Sequence, residues 1–233
     1  LGILRRAATE PSEAFARLPA RVRTIAHIPR ALVLAKANAI STVHRPVPLD
    51  YVGVKRFDER GRVVGERRLL GLLTGRAYKA NVADVPIVRR KVKQVLSRAA
   101  LPHGGHDEKA LLDILESYPR DELFQIDVRT LFEHAMGILW LGERQLVRVF
   151  ARRDEFERFV SFLVFLPRER FNTDNRVKVQ EILRAAVGGR HADFSLRLSE
   201  SVLVRLHVVV TTTPGDLREI DVWDLEDAIA DAT

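Results

Sequence analysis

The chain has 233 residues, of which 46% are hydrophobic and 30% are charged, and it contains no cysteine. This size is enough for a globular core, either in one large domain or in two domains of about 100 residues. The lack of cysteine excludes disulfides, thiolate nucleophiles and cysteine-ligated zinc. The best apolar run, Ser161–Pro167, is far shorter than the roughly 18 residues of a membrane helix. We therefore expect no membrane span, and a cytoplasmic location fits.

Charge is distributed unevenly along the chain. Residues 1–118 contain 22 Lys and Arg against 11 Asp and Glu, whereas residues 119–233 contain 16 against 20, so the two halves carry +11 and −4. These opposite signs predict two modules with different surfaces, divided between residues 118 and 119. The chain also begins at Leu1 without an initiator methionine, which we interpret as a segment excised from a longer protein.

The first module is predicted to contain a connector, a small sheet and helices. The connector covers residues 1–28 and includes a helix-like stretch at 13–26. Strand signals occur at 31–35, 51–57 and 63–74, and turn residues before the last run predict a hairpin at Gly61. Pro46 and Pro48 suit a loop or an edge strand better than a central strand. Apolar spacing then predicts helices at 84–99 and 107–118, the second ended by Pro119.

The second module is predicted to alternate helices and strands. A helix begins behind the cap candidate Asp127 and reaches about residue 140. Strands follow at 146–151, 159–166, 194–198 and 202–210, and helices at 173–187 and 222–230, with Gly188 and Gly189 as a left-handed stop. This order is close to the ferredoxin-like plan of small ligand-sensing domains. The expected fold class is α+β, with two small antiparallel-sheet modules that each pack helices on one face.

No catalytic, metal-binding or cofactor-binding residue is predicted. His103 and His106 lie in a flexible glycine turn that also has to cap a helix, which favours capping over metal binding. His207 lies inside a predicted strand and is interpreted as packed. The sequence contains no G-x-S-x-G nucleophile elbow and no phosphate-binding glycine motif.

The basic run Arg89–Lys93 raises the alternative of a nucleic-acid-binding module that uses the basic first half. Counterion release would favour phosphate binding by such a run. However, aromatic residues do not interleave with it as a base-stacking platform requires. A solvated helix face is the preferred interpretation.

The segment Tyr118–Gln125 is densely polar and lies where the net charge changes sign. We predict that Tyr118, Arg120, Asp121 and Glu122 form a joint between the modules, pinned by an Arg–carboxylate pair.

A second polar patch follows Pro167, where Arg168, Arg170 and Asn172 precede the helix predicted at 173–187. Because helix N-termini attract anions, an amino-acid carboxylate or a partner's acidic side chain can dock there. The alternative is a charged surface loop.

Five groups of residues carry a family resemblance. They are Asp50–Asp58; Gly65–Arg68 with Leu70–Thr74; Tyr118–Gln125; Arg158–Ser161 with Leu166–Phe171; and Glu200–Leu203 with Arg205–His207. In this order they resemble the N-terminal region of the large bacterial NAD-specific glutamate dehydrogenases, and Tyr118–Gln125 is the most specific group. Departures are mild: Leu70 and Leu73 replace larger aromatics, Glu157 replaces a usual glycine, and Phe171 replaces a usual tyrosine.

The resemblance implies a region of PAS-like and ACT-like modules upstream of the catalytic domain. Residues 1–118 would be a partial PAS-like or ACT-like module with two following helices, and residues 119–233 an ACT-like module. The family's catalytic lysine and nicotinamide-binding fold belong to a later domain, so neither catalysis nor a cofactor is expected in this chain.

In function, the resemblance implies a regulatory and oligomerisation segment that senses effectors such as amino acids. The parent enzyme would bind NAD and convert L-glutamate, water and NAD to 2-oxoglutarate, ammonium and NADH. The expected partners are other domains and subunits of the same dehydrogenase and an amino-acid effector, with no membrane and no nucleic acid among them.

Overall fold

The structure is a computed structural model that describes Thr24 and residues 28–43, 46–199 and 201–233. The chain divides into two compact units, residues 1–131 and 132–233. Apart from Thr24, the helix-like stretch predicted at 13–26 lies outside the described residues, as does most of the connector around it.

The first unit contains a three-stranded antiparallel sheet in the order β1–β2–β3. Its strands are β1 Leu32–Ile40, β2 Pro48–Phe57 and β3 Val63–Gly71. The hairpin predicted at Gly61 is confirmed, and Gly61 has a φ of +75°. Pro48, which we expected in a loop or an edge strand, is instead the first residue of the central strand. Proline is tolerated there because a strand's first residue need not donate to the ladder.

One face of this sheet buries an ion pair between neighbouring strands. Lys55 of β2 lies opposite Glu66 of β3, with 2.5 Å between Nζ and Oε2. Burial lowers the pKa of Lys55 and raises the pKa of Glu66, because both charged forms lose solvation. Gly53 makes room for the pair, since a Cβ there would lie 2.8 Å from the Glu66 carboxyl carbon.

Five helices follow the first sheet. They are α1 Gly75–Lys79, α2 Pro86–Ala99, α3 His106–Ser117, α4 Arg120–Gln125 and α5 Val128–Leu141. The predicted helices at 84–99 and 107–118 and the helix predicted behind Asp127 are thus confirmed. Asp127 caps α5 by accepting from the backbone N–H of Thr130 at 3.0 Å. Neither α1 nor α4 was predicted. In the described part of the chain, no helix is both long and apolar enough to cross a bilayer.

The second unit contains a four-stranded antiparallel sheet in the order β4–β5–β7–β6. Its elements are β4 Arg148–Arg153, β5 Phe159–Pro167, a 3-10 turn at Arg168–Arg170, α6 Thr173–Ala186, β6 His191–Arg197, β7 Leu203–Thr211 and α7 Val222–Ala232. The order strand-strand-helix-strand-strand-helix is that of the ferredoxin-like plan with its last strand moved to the front. The α+β fold class is confirmed.

The core of the second unit lies between one face of this sheet and the helices α6 and α7. Alternate residues of β5 and β7, such as Phe162 and Val208, point into it and meet Leu183 of α6 and Ile229 of α7, all without solvent exposure. The outer edge of β4 is closed by Glu226 of α7. Its carboxylate accepts from the Val149 backbone N–H at 2.8 Å and from Arg148 Nη1 at 2.7 Å. An occupied edge cannot add a further strand at these positions.

The two glycines that end α6 have different tasks. Gly188 has a φ of +66°, so it supplies the left-handed stop that the sequence predicted. Gly189 instead provides space, because a Cβ at this position would lie only 2.1 Å from Cγ1 of the buried core residue Val210.

The substitution Gly189→Ala is therefore expected to destabilise the second unit by about 1–3 kcal/mol, the usual cost of overpacking a core. The control is Gly71→Ala, since a Cβ at Gly71 meets nothing within 4 Å. Urea unfolding followed by circular dichroism measures both variants. Equal midpoints for Gly189→Ala and the parent chain would contradict the close packing of Gly189 against Val210.

Candidate functional site

A polar network in the first unit connects the sheet to two helices. Lys36 of β1 donates from Nζ to Asp50 of β2 at 2.6 Å and to Asp121 of α4 at 2.7 Å. Tyr78 of α1 donates its hydroxyl to the same Asp121 oxygen at 2.7 Å, and Asp50 also accepts from the Leu73 backbone N–H at 2.7 Å. The partly buried ammonium group of Lys36 is thus shared by Asp50 and Asp121, which are far apart in the sequence.

The charges of this network shift two pKa values. Burial opposes the charged form of Lys36, but the carboxylates of Asp121 and Asp50 outweigh it and raise its pKa. Burial, with the hydrogen bond to Asp121, raises the pKa of Tyr78 from 10.0 to about 12. Both groups therefore stay protonated at neutral pH, and the arrangement acts as a structural clamp.

These shifts give a pH dependence with a defined sign. The pKa of Tyr78 is higher in the folded state than in the unfolded state. The stabilisation that this difference provides is therefore fully present below the unfolded pKa of 10.0 and is lost as pH rises to about 12. We expect Tyr78→Phe to lower the free energy of unfolding by about 1 kcal/mol near neutral pH, through the lost hydrogen bond. That deficit should shrink between pH 10 and 12, which urea unfolding at several pH values measures. A loss of unfolding free energy that does not change with pH would contradict a stabilising hydrogen bond from Tyr78 to Asp121.

The segment Tyr118–Gln125 lies wholly in the first unit, mostly as α4. Asp121 pairs with Lys36, whereas Arg120 donates from Nη2 to the carbonyl of Ala80 at 2.9 Å.

The other two residues proposed for the joint, Tyr118 and Glu122, are both buried, each with 3% exposure. Their role, with Arg120 and Asp121, as a joint between modules stays a prediction.

The basic run Arg89–Lys93 is divided between two surfaces. Arg89, Arg90 and Lys93 are exposed. Lys91 turns inward and donates from Nζ to three carbonyls at the end of α4, those of Leu123, Phe124 and Ile126, at 2.9, 3.0 and 2.6 Å. An ammonium at a helix C-terminus satisfies carbonyls that lack intrahelical partners. This contact explains why so short a segment forms a helix.

In the second unit, Arg168, Arg170 and Asn172 lie between β5 and α6. Asn172 is the N-cap of α6 and accepts from the backbone N–H of Asn175 at 2.8 Å. Both arginines are exposed, and their guanidinium groups reach backbone carbonyls: Arg168 donates to Ser199, and Arg170 to Ala230 at 3.5 Å. The structure thus places the three residues at one junction, and their role as an anion or effector contact stays a prediction.

The histidines considered in the sequence have local partners. His103 Nδ1 lies 3.2 Å from Glu108 of α3, beside the turn that leads into this helix. His207 of β7 is half-buried, and its Nε2 lies 2.9 Å from the Ser161 hydroxyl of β5. Within the described residues, no group of three or more His, Asp or Glu side chains is arranged to hold a metal ion.

The β4–β5 turn explains one departure from the family sequence. Glu157, which stands where a glycine is usual, has a φ of +55°. Its carboxylate accepts from the Gly215 backbone N–H at 3.0 Å, and its carbonyl accepts from the Thr212 hydroxyl at 2.8 Å. Side-chain and backbone contacts thus offset a conformation that favours glycine.

A pair of substitutions separates the two contributions of Glu157. Glu157→Ala loses the carboxylate contact and keeps the strained backbone, whereas Glu157→Gly loses the contact and relieves the strain. We expect the glycine variant to be more stable than the alanine variant by about 1 kcal/mol in urea unfolding. An alanine variant as stable as the glycine variant would contradict the strain at this turn.

Comparison with known proteins assigns both parts of the chain to one family. Residues 148–233, which form most of the second unit, match the model of the glutamate dehydrogenase ACT2 domain. Residues 85–144, which include helices α2 to α5, match helical motif 1 of glutamate dehydrogenase. The second unit is therefore an ACT-type domain preceded by a helical motif.

Three relatives agree with these matches. The NAD-specific glutamate dehydrogenases of Halomonas elongata, Pseudomonas aeruginosa and Mycobacterium tuberculosis are 43%, 38% and 33% identical over 87%, 88% and 78% of this chain. The chain belongs to the NAD-specific glutamate dehydrogenase family, as the sequence motifs predicted. The aligned regions make up only 12%, 13% and 11% of the lengths of these relatives. The PAS-like description of the first module stays a prediction.

Proposed function

We propose that this chain is a non-catalytic regulatory and oligomerisation segment of a large NAD-specific glutamate dehydrogenase, and that its second unit senses an amino-acid effector. The observation that carries this proposal is the ACT2 match of the second unit, combined with the exposed arginines Arg168 and Arg170 beside the N-terminus of α6. Guanidinium groups bind carboxylates in a bidentate manner, and every free amino acid carries a carboxylate.

The parent enzyme in this proposal binds NAD in another domain and converts L-glutamate, water and NAD to 2-oxoglutarate, ammonium and NADH in the cytoplasm. The relatives that support it are named NAD-specific glutamate dehydrogenases, and they extend far beyond the region that this chain matches. The partners proposed for the chain are accordingly other domains and subunits of the same dehydrogenase.

A thermal-shift screen of the chain against the twenty amino acids, 2-oxoglutarate and nucleotides tests the sensing role. A ligand that binds only the folded state raises the melting temperature by mass action, by an amount that grows with ligand concentration. We expect at least one amino or 2-oxo acid to stabilise the chain. We also expect the double variant Arg168→Gln with Arg170→Gln to reduce that shift, while Arg144→Gln, which changes an exposed arginine after α5, retains it.

Light scattering on the same samples separates sensing from assembly. If the chain forms a dimer or a larger species and no ligand raises its melting temperature, the sensing role is contradicted and an assembly role remains.

The exposed residues Arg89, Arg90 and Lys93 of α2 define the competing function, nucleic-acid binding. Stabilisation by a DNA duplex alone, lost as salt concentration rises, would favour that function instead.

A further inference from the structure

One face of helix α2 is exposed and basic. Arg89, Lys93 and Ser97 are four residues apart, so they form a row along one side of the helix, and all three are exposed. We call these three residues the α2 row. With Arg90 beside it, the row lines a shallow surface groove of about 590 Å³. Buried residues such as Val88 occupy the opposite side, so the basic face is the one that α2 presents to solvent.

Helix α7 carries an exposed row with the same spacing and the opposite charge. Trp223, Asp227 and Asp231 are also four residues apart, and all three are exposed. We call these residues the α7 row. A further exposed carboxylate, Asp224, lies beside it. The buried residue Ile229 marks the other side of the helix, which belongs to the core of the second unit. The solvent side of α7 is thus acidic and begins with a large aromatic ring.

The two rows match when the helices are antiparallel. An α-helix rises 1.5 Å per residue, so successive members of each row are about 6 Å apart. An antiparallel alignment can place Asp231 opposite Arg89. The next pair along the helices is then Asp227 with Lys93. The tryptophan falls opposite the last turn of α2. Exposed ion pairs contribute little individually, so the aromatic ring supplies the apolar contact area that such an interface also needs.

Trp223 is already held in position for a contact of this kind. Its ring centroid lies 5.4 Å from the guanidinium carbon of Arg148, which is in turn fixed by Glu226 at 2.7 Å. Its backbone N–H donates to the N-cap residue Asp221 at 2.8 Å. Even so, 70% of the residue is exposed. A side chain that is already ordered loses less conformational entropy on binding, and tryptophan is enriched among the residues that dominate interface energies.

We propose that the α2 row is the docking surface for the α7 row of a second copy of this chain. The inference deepens the oligomerisation role in the proposed function and rests on it, because it names the two surfaces and the partner. The second copy carries a row of matching length, matching spacing and opposite charge. A nucleic acid would also supply negative charge to α2, but it leaves the exposed row of α7 without a task. Opposite charges on the two surfaces also steer their encounter.

Reversing the charge of each row, and then mixing the two variants, tests this inference. One variant carries Arg89→Glu with Lys93→Glu, and the other carries Asp227→Lys with Asp231→Lys. Light scattering and sedimentation velocity measure self-association of the whole chain at low and high salt. We expect each variant alone to associate at least about tenfold more weakly than the parent chain, because two attractions become repulsions. An equimolar mixture should recover association, since each variant then meets a row of opposite charge.

Arg60→Glu with Arg67→Glu is the matched control for the variant of α2, because it changes the net charge equally on exposed residues outside that helix. It should associate like the parent chain. The row variants should not have lower melting temperatures, since acidic groups suit the start of α2 and basic groups suit the end of α7. Trp223→Ala leaves every charge in place, and it should weaken association at high salt as well as at low salt.

The outcomes distinguish this inference from the proposed function. Self-association that survives both row variants, or a mixture that does not recover it, would overturn the contact and leave oligomerisation through another surface. A monomer at every protein and salt concentration would overturn the contact and the oligomerisation role together, without bearing on the ligand screen. Binding of a DNA duplex without self-association, lost in the variant with Arg89→Glu and Lys93→Glu, would assign the α2 row to nucleic acid instead.

Discussion

The pairing of β5 with β7 is the constraint on which the second unit depends. These central strands are in register over nine residue pairs, from Phe159 opposite Thr211 to Pro167 opposite Leu203. Because side chains alternate, this register sends one set of residues to the helices and the other set to the outer face. A slip of one residue would expose the core residue Val208 and bury Arg205 or His207, so the hydrophobic core fixes the position of every polar group outside it.

The first unit depends on paired charges as well as on its apolar core. Its sheet has three strands and buries the pair Lys55–Glu66, and the network around Lys36 ties β1, β2, α1 and α4 together. A buried charge is stable only when it is paired, so each of these side chains needs its partner in place. Removing one charged member of such a network is expected to cost more than its single hydrogen bond, because the remaining charges lose their neutralisation.

Most elements of both units could be predicted from the sequence, because each strand or long helix has its own hydrophobic period. The helix α4 could not, since its six residues fold against Lys91 and Lys36, which are distant in the sequence. The candidate site at Arg168 was visible as a local cluster of charge. The network around Lys36 was not, because it joins residues of β1, β2, α1 and α4 that are distant in the sequence. Glu157 was noticed as a departure from glycine, and its positive φ supplies the reason.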